Sequence, residues 1–355
     1  MKSLVRGFLW SLAGVATCLF FFSPRLLVFT EQAPGSYEWT RGLNFLQQIS
    51  GEAGEKVEPA LQHRLLPVVV CKVLGLEGIE AFTLGWLGVM FLLFTTHRLL
   101  INQKLPSGLA VCGVFMVAST SAVVTSLGWL GIMDGWWVAA LLIVSFSPIQ
   151  WQILLTCCLA PWIDERFLIG LPVAFLCKWL VDPANTQKIV KTGTWIFLGV
   201  APYLAWRVFS YIHFPSDESA RFLSSEFLVW LRTAPHGWWM AYRLAWVPIL
   251  LCFWIPNASR IKVPLLLGAV FLSGSVAVVT AADLSRSAMV ICPLMLAGLI
   301  LVYRAKPVET VKTAPWLTGA NYLVPFMHVV YNKVEPVHPF LLEIVRLLKK
   351  LGAEL

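Results

Sequence analysis

Four places in this chain set acids and bases beside apolar runs closely enough to do chemistry. His63-Arg64-Leu65-Leu66-Pro67 puts a guanidinium where a polar stretch gives way to an apolar one. Asp134 precedes Gly135-Trp136-Trp137, and Asp164-Glu165-Arg166 sets two adjacent acids beside a base. Asp283-Leu284-Ser285-Arg286 is squeezed between two long apolar segments. A guanidinium grips a phosphate or carboxylate through paired hydrogen bonds, and a carboxylate can take a proton from a hydroxyl. Each motif also has a plainer reading. Arg64 could hold lipid headgroups, Asp134 could cap a helix, residues 164–166 could neutralise one another, and Asp283 with Arg286 could close a hairpin. There is no Gly-rich phosphate loop, paired zinc motif or nucleophile elbow, which argues against a cytosolic nucleotide site.

The elements that must position these residues follow from composition. Of 355 residues, 58% are hydrophobic and only 13% charged, with 17 Trp and 22 Phe and a mean hydropathy of +0.75. A soluble domain carries about 25% charge, and Trp concentrates at membrane–water boundaries. These figures describe an integral membrane protein and exclude a disordered chain, a nucleic-acid module and a small secreted disulfide scaffold. The net charge of +8 then reads as topology, because Lys and Arg gather in cytoplasmic loops. All eight cysteines lie within apolar stretches, where packing is their expected role. Lys2 and Arg6 precede the first apolar run, as in a signal peptide, but the run is long enough for an uncleaved span.

The hydropathy pattern predicts an all-α polytopic bundle of about ten transmembrane helices, some short. They fall at 7–29, 82–96, 107–131, 135–147, 150–161, 167–181, 192–210, 237–255, 263–281 and 288–303. Residues 65–76 read as an interfacial or re-entrant helix on an outer loop. The transmembrane domain is expected over 1–306, with outer loops at 30–81 and 211–236. Residues 307–355 are expected as a cytoplasmic tail, partly an amphipathic helix, so that both termini lie inside.

Taken together, the acidic first outer loop, Arg64-Leu65-Leu66-Pro67, the outer Asp134, the 164–166 cluster and Asp283-Leu284-Ser285-Arg286 resemble the multi-spanning bacterial GT-C superfamily. Its members are glycosyltransferases that use lipid-phosphate-linked sugars. The likeness covers most of the chain in layout, though the Asp-Asp or Glu-Asp pair frequent in that first loop is missing. The resemblance implies transfer from a polyprenyl-phosphate-linked sugar to a glycan or protein acceptor, at the outer face of the bacterial inner membrane. It implies Glu38 or Glu31 as the base, with Asp134 and Glu165 as rivals. Arg64, His63, Arg166 and Arg286 would bind phosphate or substrate, and Asp283 would orient Arg286. Mg²⁺ or Mn²⁺ could assist through carboxylates, although no ligand set is evident. Membrane lipid is an expected partner and nucleic acid is not. Rival readings are a transporter or flippase of a lipid-linked or small anionic substrate, a surface-glycan polymerase or ligase, and a non-catalytic scaffold of an envelope complex.

Overall fold

The structure is a computed structural model that describes residues 2–24, 37–51, 63–182, 186–213, 227–254, 262–280, 283–330 and 333–352. It is almost wholly helical, as the apolar runs demand. In order the helices are α1 (Lys2–Phe21), α2 (Tyr37–Ser50), α3 (Leu65–Leu74), α4 (Thr83–Asn102), α5 (Ser107–Ala118), α6 (Ser121–Gly128), α7 (Asp134–Phe146) and α8 (Gln150–Leu159). They continue with α9 (Arg166–Val181), α10 (Thr186–His213), α11 (Phe227–Tyr242), α12 (Trp246–Trp254), α13 (Lys262–Thr280), α14 (Leu284–Ser287) and α15 (Cys292–Ala305). Last come α16 (Pro307–Leu323), an antiparallel hairpin of β1 (Phe326–Val330) with β2 (Lys333–Val337), and α17 (Phe340–Lys350).

Two ends of the bundle can be told apart by what meets there. At one, Gly7 abuts His97, Gln103 donates to the Phe146 carbonyl at 3.3 Å, and Arg304 donates to the Val181 carbonyl at 2.6 Å. Arg6, Arg98, Lys104, Arg304 and Lys306 all belong to this basic end. At the other, Asp134 meets Arg286, and the Ser23 N–H donates to the His338 carbonyl at 3.0 Å.

Four stretches among the described residues are long and apolar enough to cross a membrane: Leu4–Phe21, Gly78–Asn102, Ile189–His213 and Leu284–Ala305. A fifth is the pair α5 and α6, bent by 55° at its break, if the two count as one span. The count therefore falls short of the expected ten. The 13 residues of α7 reach about 20 Å against a hydrocarbon thickness of about 30 Å. Such a helix suits a place walled in by protein, and all but two of its thirteen residues are buried. The segment expected at 237–255 is broken into α11 and α12 at Arg243, whose φ of 51° no helix tolerates. A helix, α3, stands where the interfacial or re-entrant one was expected, and the first polar stretch contains α2.

Tight packing holds α4 against α7. A Cβ on Gly135 would fall 2.4 Å from the Gly88 carbonyl carbon, so backbone meets backbone there. Close approach through small residues is how apolar helices associate where water supplies no driving force.

The C-terminal segment, expected as a tail from residue 307, packs back along the bundle. α16 starts beside Arg304 at the basic end, and its 17 residues carry the chain back about 25 Å. Asn321 near its far end donates to Ser119 at 2.7 Å, and Tyr322 donates to the Phe115 carbonyl at 2.9 Å. The hairpin then docks at the network end, where Val330 forms a bridge with Asp283. Phe326 and Val337 on one face and Val329 on the other are buried, and burying them decides where the hairpin sits.

Candidate functional site

Asp134 opens α7, where a carboxylate suits the positive end of the helix. Its Oδ1 accepts from Trp137 Nε1 at 2.9 Å and from Arg286 Nη2 at 2.7 Å. Its Oδ2 accepts from Arg286 Nε at 2.5 Å. The third nitrogen of Arg286, Nη1, donates to Asp283 Oδ2 at 2.9 Å. Asp283 also caps α14, accepting from the Arg286 N–H. All three residues are buried.

A second fork lies alongside. Arg166 donates to Asp164 through Nε at 3.0 Å and Nη2 at 2.9 Å. Arg166 Nη2 also stands 3.8 Å from Asp134, which joins the two forks. Arg64 Nη1 lies 3.1 Å from the same Asp164. Burial pushes the Asp164 carboxyl up, but Arg166 and Arg64 overcome it and hold the group well below the usual carboxylate range. Burial likewise raises Asp283, while His328 and Arg286 bring it below its ordinary value. Burial lowers Arg64 most, and Arg166 and Arg41 add to the effect while Asp164 opposes it.

Donors are left over. Arg41 Nε, Arg64 Nε and Arg166 Nη1 are buried and have no hydrogen-bond partner among the described residues. Buried polar groups are nearly always paired, so three such guanidinium groups mark a place suited to an anion. A narrow recess opens at Arg64, lined also by Phe45, Gln48, Pro67, Gly131, Met133, Ile163 and Asp164. Gly131 turns there with φ of 72°, a conformation that favours glycine.

Of the residues expected from sequence, the structure brings together Arg64, Asp134, Arg166, Asp283 and Arg286. Arg286 spends each of its three guanidinium nitrogens on Asp134 and Asp283, so it serves as a buried tie and not as an open phosphate clamp. Glu165 pairs with Arg207 at 2.5 Å at a half-exposed rim. Burial lowers the His63 imidazole, as does Arg207, with Glu165 opposing. Glu31 lies outside the described residues. Glu38 falls in α2, with its side chain outside what is described.

Sequence reasoning missed two participants. Arg41 looked like one charge among many in an acidic loop. His328 lay in the presumed tail, yet β1 delivers it into the network. Its Nδ1 is 3.0 Å from Ser285 Oγ, its Nε2 is 3.6 Å from Asp283 Oδ2, and its ring packs on Trp129 at 4.7 Å. Phe326-Met327-His328-Val329-Val330 is a short apolar run broken by one histidine, and nothing in it pointed to Asp283.

A divalent cation does not fit these residues. Asp134, Asp164 and Asp283 each face a guanidinium, and the described residues contain no group of three His, Cys, Asp or Glu placed to hold a metal. Comparison of the chain with family models, with curated proteins and with solved structures finds no match at any of the three levels.

Proposed function

We propose that this protein is an integral membrane glycosyltransferase of GT-C type, moving a sugar from a polyprenyl-phosphate donor to an envelope acceptor. The observation that carries the reading is the set of buried guanidinium N–H groups of Arg41, Arg64 and Arg166 without a partner among the described residues, with Arg64 lining a recess. In this reading the site faces the outer side of a bacterial inner membrane, because the opposite end of the bundle holds the basic loops.

The donor's sugar–phosphate bond already has a good leaving group. The acceptor hydroxyl loses its proton to Glu38 or Glu31, and its oxygen bonds the anomeric carbon as the carbon–oxygen bond to phosphate breaks. The departing phosphate keeps that electron pair, and Arg64, Arg166 and Arg41 meet its charge. A preorganised donor of this kind is worth about 2.7–4 kcal/mol in the transition state. Asp134 and Glu165, rivals for the base, are each engaged by an arginine and fit better as holders of those arginines. Asp283 and Arg286 set the frame, and His63 stands at the rim with Arg207 and Glu165.

The test is release of undecaprenyl phosphate from a panel of undecaprenyl-phosphate hexoses by the purified protein, with isolated envelope glycan as acceptor. Release that depends on Arg64 supports the reading. Transbilayer movement of the same donors in liposomes, with no covalent product, would replace it with the flippase reading.

A further inference from the structure

The C-terminal helix α17 is the part of the chain that the proposed transfer reaction leaves unused. It reads Phe340-Leu341-Leu342-Glu343-Ile344-Val345-Arg346-Leu347-Leu348-Lys349-Lys350, and it presents Leu341, Val345 and Leu348 outward instead of toward the bundle. What it turns inward is Glu343, only 1% exposed and paired with Arg346 at 2.5 Å. An exposed apolar face beside Arg346, Lys349 and Lys350 matches a lipid interface, where apolar side chains sink to the acyl boundary and cations meet anionic headgroups. Eleven residues with four charged groups are too short and too polar to cross.

The position of α17 is fixed by its neighbours. It follows His338, whose carbonyl accepts from Ser23 just past the end of α1. Lys2 lies at the other end of that 20-residue helix, about 30 Å away. The return path is α16, which buries Thr310, Ala314, Thr318 and Asn321 while exposing Val308 and Trp316, the latter by 82%.

We propose that α17 lies on the anionic lipid surface at the network end of the bundle, so that the C-terminal helix and Lys2 occupy opposite faces of the membrane. This inference is independent of the transferase reading.

Nitroxide labels at Leu341→Cys, Leu348→Cys and Lys349→Cys test it, in full-length protein in phosphatidylcholine–phosphatidylglycerol nanodiscs, with the parent protein's label signal subtracted. Labels at 341 and 348 should collide with oxygen and be shielded from a water-soluble nickel chelate, and the label at 349 should show the reverse. Open access of the chelate to all three positions overturns the proposal. So does shielding of 341 and 348 from both reagents with spin–spin broadening between molecules, which would mean a second copy covers the face. In sealed vesicles, an impermeant maleimide should reach Lys350→Cys and Lys2→Cys from opposite sides; labelling from the same side overturns the assignment of faces.

Discussion

Arg286 and Asp134, 152 residues apart in sequence, meet in a two-pronged pair at 2.5 and 2.7 Å with both side chains essentially shut off from solvent. Removing one partner of a buried pair leaves an uncompensated charge, which costs about 3–5 kcal/mol. Arg286→Ala should therefore lower unfolding stability in detergent by that amount, and Asp134→Leu by a similar amount. The double variant Arg286→Ala with Asp134→Leu should be markedly less destabilised than the sum of the single changes. Additive losses in that cycle would show that the pair contributes no coupling.

Arg64 is the cleaner functional probe. It lies at the recess, its side chain is 14% exposed, and it is not enclosed on all sides as Arg286 is. Arg64→Ala should leave the melting behaviour close to that of the parent while cutting release of undecaprenyl phosphate by about a hundredfold or more. Arg64→Lys should also be damaging, since a point charge does not replace a fork. Full activity in both variants would remove Arg64 from the site.

Stability should depend on pH in two windows. His63 is held below its ordinary value, so between pH 6.5 and that lower value the unfolded chain binds more protons than the folded one. Stability falls as pH drops through this window. Asp164 and Asp283 are held below the ordinary carboxyl value of 3.8, so their contribution is complete above it and is lost as pH falls further. Melting temperature across pH 2–8 checks both windows, and His63→Gln should weaken the upper decline and leave the lower one.

Gly135→Ala should destabilise the bundle. The added methyl would meet the Gly88 backbone at 2.4–2.6 Å, and no flexible side-chain tip is there to yield. Overpacking of this kind typically costs 1–3 kcal/mol. Gly108→Ala, where nothing lies within 4 Å, is the matched control and should be near neutral.

His328→Ala should loosen the hairpin by removing one partner of Ser285 Oγ, which keeps Asp283 and the Val329 N–H, a loss of about 0.5–1.5 kcal/mol for one hydrogen bond. His328→Asn, whose amide can reach the position of Nδ1, should recover part of it. Equal melting of both variants and the parent would show that the hairpin is held by its apolar face alone.

Composition and hydropathy were enough to make this a helical membrane protein, because apolar runs in so poorly charged a chain have no other way to satisfy their backbone. The same reading found Arg64, Asp134, Arg166, Asp283 and Arg286, since charge at the edge of an apolar run is costly unless it is paired or used. Tertiary structure decided what each of them does. Which guanidinium closes on which carboxylate depends on helix ends meeting across the bundle, and that made Arg286 a tie and left donors open on Arg41, Arg64 and Arg166. It also decided the fate of the last fifty residues. Neither the low hydropathy of α16 nor the short apolar run of β1 reports which neighbours will bury them, so only packing could bring His328 to Asp283 and carry α17 to the far end of the bundle.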